Sequence, residues 1–523
     1  MDLFIKFGML AVFFAVMIYI GLYCRRHTTD VSGFVLGGRS VGPWLTAFAY
    51  GTSYFSAVVF VGYAGQFGWK FGVAATWAGI GNALLGSLLA WAVLGRRTRI
   101  MTQHLDSATM PQFFANRFHS RGLKLAASAI IFLFLIPYTA SLYNGLSRLF
   151  GMAFHIDYAV CVVVMAVLTG VYVIAGGYMA TAINDFIQGI IMLVGIIAVV
   201  AAVLNSQGGF QAALDGLARV SDPATSDTPG VFASFFGPDP VGLLGVVLLT
   251  SLGTWGLPQM VQKFYAIQSE KAIDKGMMIS TLFALIVAGG CYFLGGFGRL
   301  FSTPELVAQN GYDSIIPTML EGLPTIFIAL VVILVLSASM STLSSLVLTS
   351  SSTLTLDFIK PIFQKDMGEK QQIFLIRLLI VVFIAISVVL AIIQYRSSVT
   401  FIAQLMGVSW GALAGAFLAP FLYGLYWKRT TKAACAVSFA FSTVVMLCNI
   451  FFGKAFPTLL QSPINAGAFC MLAGLVIVPA VSMLTRPPLQ QHIEQVFACY
   501  EQKVVVTAKD SIGNPRDTVK EEL

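Results

Sequence analysis

Residues 337–358, SASMSTLSSLVLTSSSTLTLDF, decide how the rest of this sequence is interpreted. Twelve of these 22 residues are serine or threonine, and they directly follow the apolar run IFIALVVILVL at 326–336. A hydroxyl without a partner is costly inside a membrane. The hydroxyls of such a helix therefore need its own carbonyls, a neighbouring helix, water or a hard cation as partners.

One stripe of this helix favours a cation. Ala338, Ser341, Thr342, Ser345 and Thr349 recur at i, i+3, i+4, i+7 and i+11, which places them on one helical face. Two adjacent hydroxyls and a carbonyl one turn earlier offer neutral oxygens to a monovalent ion such as sodium, whereas a divalent ion would call for carboxylates. Alternatively, the hydroxyls bond back to their own helix and allow close packing, and this must hold for most of the twelve.

Composition predicts an all-α polytopic membrane protein. The chain has 523 residues, of which 57% are hydrophobic and only 10% are charged, and its mean hydropathy is +0.84. The net charge of +8 does not indicate nucleic-acid binding, because the basic residues lie in short loops. The seven cysteines form no CxxC pair and the motif HExxH is absent, so neither a metal centre nor a disulfide framework is indicated. The five histidines fall in loops or at span ends, which does not favour an enzyme.

Apolar runs of about 20 residues predict thirteen transmembrane helices. The first run ends in Arg25–Arg26 and lacks a cleavage site, so it is a retained span and not a signal peptide. The predicted spans are 2–24, 43–68, 71–95, 122–150, 158–178, 181–204, 240–262, 276–298, 323–355, 373–395, 400–426, 432–452 and 466–485.

The basic residues predict the orientation. With the N-terminus outside, 24 of the 31 lysines and arginines, Lys263 among them, lie at the inner face. We therefore expect a plasma-membrane protein with a cytoplasmic C-terminus. Residues 1–485 form the transmembrane domain, and residues 486–523 form a partly disordered cytoplasmic tail.

Two predicted spans are interrupted at their centres. The first contains AYGTSYFS at 49–56, and the second contains TSLGTWGLPQ at 250–259. Small residues permit unwinding, and a proline removes a backbone donor. The interruptions are five spans apart, which predicts inverted repeats at about 43–204 and 240–426 with a mid-membrane binding site. Alternatively, these residues only adjust helix packing.

Asp185 is the one acidic residue in the interior of a predicted span. A carboxylate inside the membrane is costly, so it is a candidate functional residue. Alternatively, it begins a helix near the inner interface and stays hydrated.

Four segments carry a resemblance to a known family. They are FVLGGRSVGPW (34–44), AGGYMATAINDFIQG (175–189), SASMSTLSS (337–345) and LYGLYWKRTTKAA (422–434). In this order they resemble the sodium:solute symporter family, which includes bacterial proline, pantothenate, sialic acid and galactose symporters. The resemblance extends over about 5–450. It implies the five-plus-five inverted repeat of the leucine transporter and sodium-coupled import of a small organic solute.

The resemblance also implies binding residues. The sodium ligands are the carbonyls of Ala49, Thr52 and Ala338 with the hydroxyls of Ser341 and Thr342, and a second sodium would bind Asp185 and Ser345. The implied solute-binding residues are Ser53, Tyr54, Ser56, Thr76, Trp77, Trp255, Pro258, Gln259 and Gln404.

Departures from the family pattern bear on the solute. Tyr54 occupies the position of an aspartate in proline symporters, and Thr76 and Pro258 replace a glutamate and an asparagine of the galactose symporter. Gly-Leu-Pro at 256–258 resembles the pantothenate and monocarboxylate branch. These departures argue against a sugar and against proline. We therefore expect an organic acid, such as a monocarboxylate or a pantothenate-like solute, or an amino acid. A proton-coupled symporter that uses Asp185 and a non-transporting membrane sensor stay open, as does the oligomeric state.

Overall fold

The computed structural model describes residues 2–25, 30–154, 156–223, 225–226, 228–364, 366–397 and 402–501. Within these ranges the chain is almost entirely helical and contains no β-strand, which confirms the predicted all-α class. The outermost tail, 502–523, lies outside the described residues.

The helices of the first half carry the first interrupted span. They are α1 (Asp2–Cys24), α2 (Val31–Leu36), α3 (Pro43–Tyr54), α4 (Ala64–Phe71), α5 (Thr76–Gly81), α6 (Arg96–His104), α7 (Met110–Phe118), α8 (Arg121–Phe154), α9 (Tyr158–Ser206) and α10 (Phe210–Ala218). Wider π-helical turns at Val58–Tyr63, Asn82–Leu89 and Trp91–Gly95 connect some of them.

The second half also contains an interrupted span and then adds further helices. Its helices are α11 (Pro240–Gly256), α12 (Pro258–Ala266), α13 (Lys271–Gly295), α14 (Pro304–Asn310), α15 (Ile315–Glu321), α16 (Thr325–Thr353), α17 (Lys360–Phe363), α18 (Glu369–Ser397), α19 (Ile402–Tyr426), α20 (Lys432–Phe452), α21 (Pro463–Leu484) and α22 (Gln490–Phe497). A π-helical turn at Leu354–Ile359 extends α16.

Ten helical stretches in the described ranges are long and apolar enough to cross a membrane, or eleven if α11 and α12 form one bent span. Two of the ten, Val58–His104 and Tyr158–Ser206, are much longer than a bilayer requires. The second turns at Gly177, whose φ of 55° is a conformation that favours glycine. The predicted number of thirteen spans stays a prediction.

Both predicted interruptions are present. Helix α3 ends at Tyr54, and Phe55 has an extended backbone before the chain coils again at Val58–Tyr63. Helix α11 ends at Gly256, Leu257 is extended, and α12 starts at Pro258 after a bend of 46°. Proline suits the first position of α12, because the amide it lacks would have had no partner in the helix.

Helix α16 lies at the centre of the molecule. Every residue from 331 to 353 is buried, and the helix packs against α1, α3, α8, α9, α12 and α18. Its hydroxyl-rich half therefore faces protein on all sides, so each hydroxyl needs a partner from a neighbouring element or from its own backbone.

The structure corrects the prediction for the end of the seventh span. The sequence placed this end at residue 262 and counted Lys263 among the inner-loop cations. Helix α12 instead continues to Ala266, and Lys263 is only 2% exposed. The chain leaves the helix after Ala266, and the Gln268 amide donates to the Val41 carbonyl at 2.9 Å. The loop residues come after this contact.

We predict that Gly68→Ala destabilises the protein. A Cβ atom at Gly68 of α4 would lie 1.9 Å from the carbonyl oxygen of Gly295 in α13, so the two backbones would have to separate. Overpacking of this kind costs about 1–3 kcal/mol, which a thermal-unfolding curve of the purified protein can measure. Gly289→Ala in the same helix α13 is the control, because a Cβ atom there has no neighbour within 4 Å. Equal unfolding midpoints for the two variants would contradict this packing.

Candidate cation and solute site

Five oxygen atoms converge where the first interruption meets α16. Ser341 Oγ lies 3.1 Å from the Thr52 carbonyl oxygen and 3.0 Å from that of Ala338. Thr342 Oγ1 lies 2.9 Å from the Phe55 carbonyl oxygen, 3.2 Å from that of Thr52 and 3.0 Å from that of Ala338. All five residues are buried. We call this cluster the oxygen junction.

The end of α3 explains why two of these carbonyls are available. A carbonyl in the last turn of a helix has no amide four residues ahead to accept from. The amide of Phe55 still bonds Gly51, but the amide of Ala57 turns to the hydroxyl of Ser339, at 3.2 Å. The carbonyls of Thr52 and Phe55 accept hydroxyls from α16 in place of backbone amides.

The junction differs from the predicted sodium ligands at one position. Thr52, Ala338, Ser341 and Thr342 come together as the sequence predicted. The carbonyl of Ala49 does not join them, because it lies three residues before Thr52, inside the regular part of α3. Phe55 replaces it. Thr52 and Phe55 keep the i, i+3 spacing of Ala49 and Thr52, shifted by three residues because α3 ends at Tyr54.

The other hydroxyls of α16 differ in their partners. Those of Ser337, Ser350 and Ser351 are buried and form no hydrogen bond within the described residues. Ser344, Ser352 and Thr355 bond carbonyls of their own helical segment, as the packing alternative predicted. In contrast, Ser345 and Thr349 bond other elements: Thr349 Oγ1 donates to the Gln262 side-chain oxygen of α12 at 2.7 Å. The stripe identified in the sequence is therefore the face that contacts the two interrupted helices.

A lysine lies between the two residues predicted for a second sodium. Lys263 Nζ donates to Ser345 Oγ at 3.0 Å and lies 3.9 Å from Asp185 Oδ2. Ser345 Oγ is also 2.8 Å from Ser53 Oγ, next to the oxygen junction. Asp185 is fully buried, so the reading in which it stays hydrated is wrong. The sequence prediction did not include Lys263, because it treated this residue as part of a loop.

Aromatic side chains surround the interruption on its other side. The ring of Tyr54 lies 5.5 Å from that of Trp410 in α19, and Tyr138 of α8 lies 6.0 Å from the same indole. The Tyr292 hydroxyl of α13 neighbours Tyr54. Sequence patterns did not identify Tyr138, Tyr292 or Trp410, because a lone aromatic residue in an apolar span gives no periodic signal.

Several polar atoms of this region have no hydrogen-bond partner among the described residues. Both side-chain polar atoms of Gln259 are buried and unbonded, and Gln259 follows Pro258 in the first turn of α12. The hydroxyls of Tyr54 and Ser56 are also buried and form no hydrogen bond within the described residues. Buried polar groups rarely stay unpaired, so these atoms are candidates to bind a solute.

Some of the predicted solute residues lie elsewhere. The Thr76 hydroxyl bonds the Val73 carbonyl, and the Trp77 indole donates to the Phe235 carbonyl of the loop before α11. The second interruption instead contacts a later part of the span that contains Thr76 and Trp77. There, the Trp255 indole donates to the Leu85 carbonyl at 2.9 Å. Gln404 is half-buried at the start of α19 and makes no hydrogen bond to the cluster within the described structure.

The chain belongs to the sodium:solute symporter family. The model of this family, described as "Sodium:solute symporter family", matches residues 34–440. The family consists of sodium-coupled transporters and not of enzymes, and the chain is accordingly a multi-pass membrane protein.

Individual relatives agree with this assignment. The chain is 28% identical to the osmoregulated proline transporter OpuE of Bacillus subtilis, over 92% of this chain and 94% of that protein. It is 29% identical to the sodium/proline symporter of Staphylococcus aureus, over 92% and 93% of the two chains. A solved structure of a Na+-coupled sialic acid symporter aligns with a TM-score of 0.72 at 18% identity, covering 93% of this chain and 99% of that one. The fold is therefore that of the leucine-transporter type.

We predict that Thr342→Val destabilises the protein even without sodium. Valine has the same shape but leaves the buried Phe55 carbonyl without its donor, at a cost of about 1–3 kcal/mol. Thermal unfolding in choline buffer measures this loss. Thr342→Ser keeps the hydroxyl and is the matched control. A valine variant as stable as the serine variant would show that the hydrogen bond is not formed.

Proposed function

We propose that this protein imports a small organic solute together with sodium, and that the oxygen junction binds the coupling sodium ion. The observation that carries the proposal is the convergence of three carbonyl and two hydroxyl oxygens from α16 and the first interruption. Neutral oxygens suit a monovalent hard cation. The hydroxyl hydrogens can rotate away, so the same oxygens that now bond each other can face an ion.

Sodium binding couples to transport through this contact. An ion at the junction attracts the end of α3 and helix α16 at the same time, so it favours conformations in which they lie close together. An ion can shift a conformational equilibrium only by its difference in affinity for the two states. Release of sodium to the cytoplasm removes this attraction, and the interruption can then separate from α16 and release the solute.

The solute binds between the two interruptions in this proposal, next to Tyr54, Ser56, Trp255, Pro258 and Gln259. The N-terminus of α12 carries a partial positive charge there, which suits a carboxylate without an arginine. The two relatives matched by sequence above are proline transporters, so L-proline is the first solute to test. Tyr54 offers no negative charge to an ammonium group, and this favours a monocarboxylate as the second candidate.

The remaining features of the proposal follow from the sequence. Residues 1–485 form the transporter with the N-terminus outside, and the inward sodium gradient drives import of the solute. The first part of the tail, α22, docks near the inner loop: His104 bonds the Gln495 carbonyl, and Tyr500 donates to that of Arg97.

Uptake into proteoliposomes tests this function. We expect accumulation of labelled L-proline or a labelled monocarboxylate, such as lactate or pyruvate, under an inward sodium gradient and none when choline replaces sodium. A proton gradient of equal size should not drive uptake. Equal uptake with protons alone would instead support the proton-coupled alternative, and no transport of any solute in a wide panel would support a sensor.

We predict that Ser341→Ala combined with Thr342→Ala raises the half-saturating sodium concentration at least about tenfold, because two of five ligands are lost and tenfold corresponds to about 1.4 kcal/mol. Sodium-dependent uptake at a fixed solute concentration measures the effect. Ser352→Ala is the control on the same helix, since its hydroxyl bonds only the Thr349 carbonyl of α16. An unchanged sodium dependence in the double variant would refute the assignment of the junction.

We predict that Gln259→Leu raises the KM for the solute about three- to tenfold, the effect of losing one or two neutral hydrogen bonds. The stability of the protein should not fall, because the Gln259 side chain makes no hydrogen bond in the described structure. Gln211→Leu, on the exposed helix α10, is the control. A variant with lower stability and an unchanged KM would assign Gln259 a structural role.

A further inference from the structure

We infer that the ammonium group of Lys263 is a built-in cation at the second ion position, so that this chain binds one sodium ion and not two. The inference rests on the proposed function. It concerns the place where the sequence predicted a second sodium at Asp185 and Ser345, and where the structure contains a side-chain cation.

The surroundings of Lys263 Nζ resemble a filled cation site. Ser345 Oγ accepts its hydrogen bond at 3.0 Å, Asp185 Oδ2 lies 3.9 Å away, and the Tyr178 ring faces it at 5.0 Å. A hydroxyl, a carboxylate and an aromatic face are all favourable partners for an ammonium group. These groups come from α16 and α9, whereas Lys263 comes from α12.

Burial makes the positive charge necessary. Asp185 is 0% exposed, and Lys263 is 2% exposed. Neither carboxylate oxygen of Asp185 accepts a hydrogen bond within the described part of the chain, and Lys263 is the cation recorded within 4 Å of it there. A buried carboxylate without hydrogen bonds needs a nearby cation. A sodium ion bound to Asp185 beside this ammonium group would be repelled by it.

The ammonium group also acts on the same contact as the sodium ion. Ser345 lies one helical turn after Ser341 and Thr342, and its hydroxyl is 2.8 Å from that of Ser53, the neighbour of Thr52. Lys263 thus connects the second interrupted helix to α16 and, through Ser345, to the end of α3. A second sodium would form the same connection, so the lysine makes it unnecessary.

Removal of this charge should create the missing ion site. In Lys263→Gln the Asp185 carboxylate loses its cation, while the hydroxyls of Ser345 and Ser53 stay in place. One carboxylate and two hydroxyls are suitable ligands for a second monovalent hard ion. The further change Asp185→Asn should abolish the new site again.

Equilibrium binding of radioactive sodium to the purified full-length chain tests the inference. We expect one ion per chain for the wild type and two for Lys263→Gln, with the Hill coefficient rising from about 1 towards 2. The double variant Lys263→Gln/Asp185→Asn should return to one ion. Lys275→Gln, an exposed lysine of α13 near Trp44, is the control and should bind one.

Two results would overturn the inference: two ions bound to the wild type, or one ion bound to a Lys263→Gln variant that elutes as a folded protein. If that variant does not fold, the wild-type count decides alone. A wild type that binds no sodium would instead refute the proposed function, so the two failures are distinguishable.

Discussion

The structure depends on hydrogen bonds between the end of α3 and helix α16, because each helix supplies the partners that the other lacks. The carbonyls of Thr52 and Phe55 lack backbone amides because α3 ends, and the hydroxyls of Ser341 and Thr342 are fully buried. Each pair satisfies the other. All of the atoms that meet are oxygens, so the cluster can bind a cation once the hydroxyl hydrogens turn away. The same geometry thereby stabilises the helix contact and prepares the ion site.

The second interruption extends this arrangement. Pro258 starts α12 directly after the second interruption, which leaves Gln259 buried in the first turn and carries Lys263 towards Asp185. In the proposed function, one helix therefore contributes to the solute region with its first turn and to the ion region with its second. A transporter of this kind needs such a link, because solute and ion must favour the same conformation.

The sequence predicted what periodicity and composition can encode. The stripe of α16 and both interruptions follow from hydroxyl spacing, glycine and proline, and the structure contains them. The resemblance implied Ala49 where the structure has Phe55, because the carbonyls that lose their helical partners depend on the residue at which α3 ends. Lys263 was misplaced because a lysine at a span end usually marks a loop, and its burial depends on a distant aspartate. Trp255 contacts its neighbouring span at Leu85 and not at Trp77. The sequence could not predict this contact, because it depends on how two separate helices align.

The most direct test is a pair of cryo-EM maps of the protein in lipid nanodiscs, one in sodium and one in choline. If the oxygen junction binds the coupling sodium, a density peak appears among the carbonyls of Thr52, Phe55 and Ala338 and the hydroxyls of Ser341 and Thr342 in sodium only. The absence of a peak from this cluster in both maps, or a sodium-dependent peak only beside Asp185, would contradict this assignment.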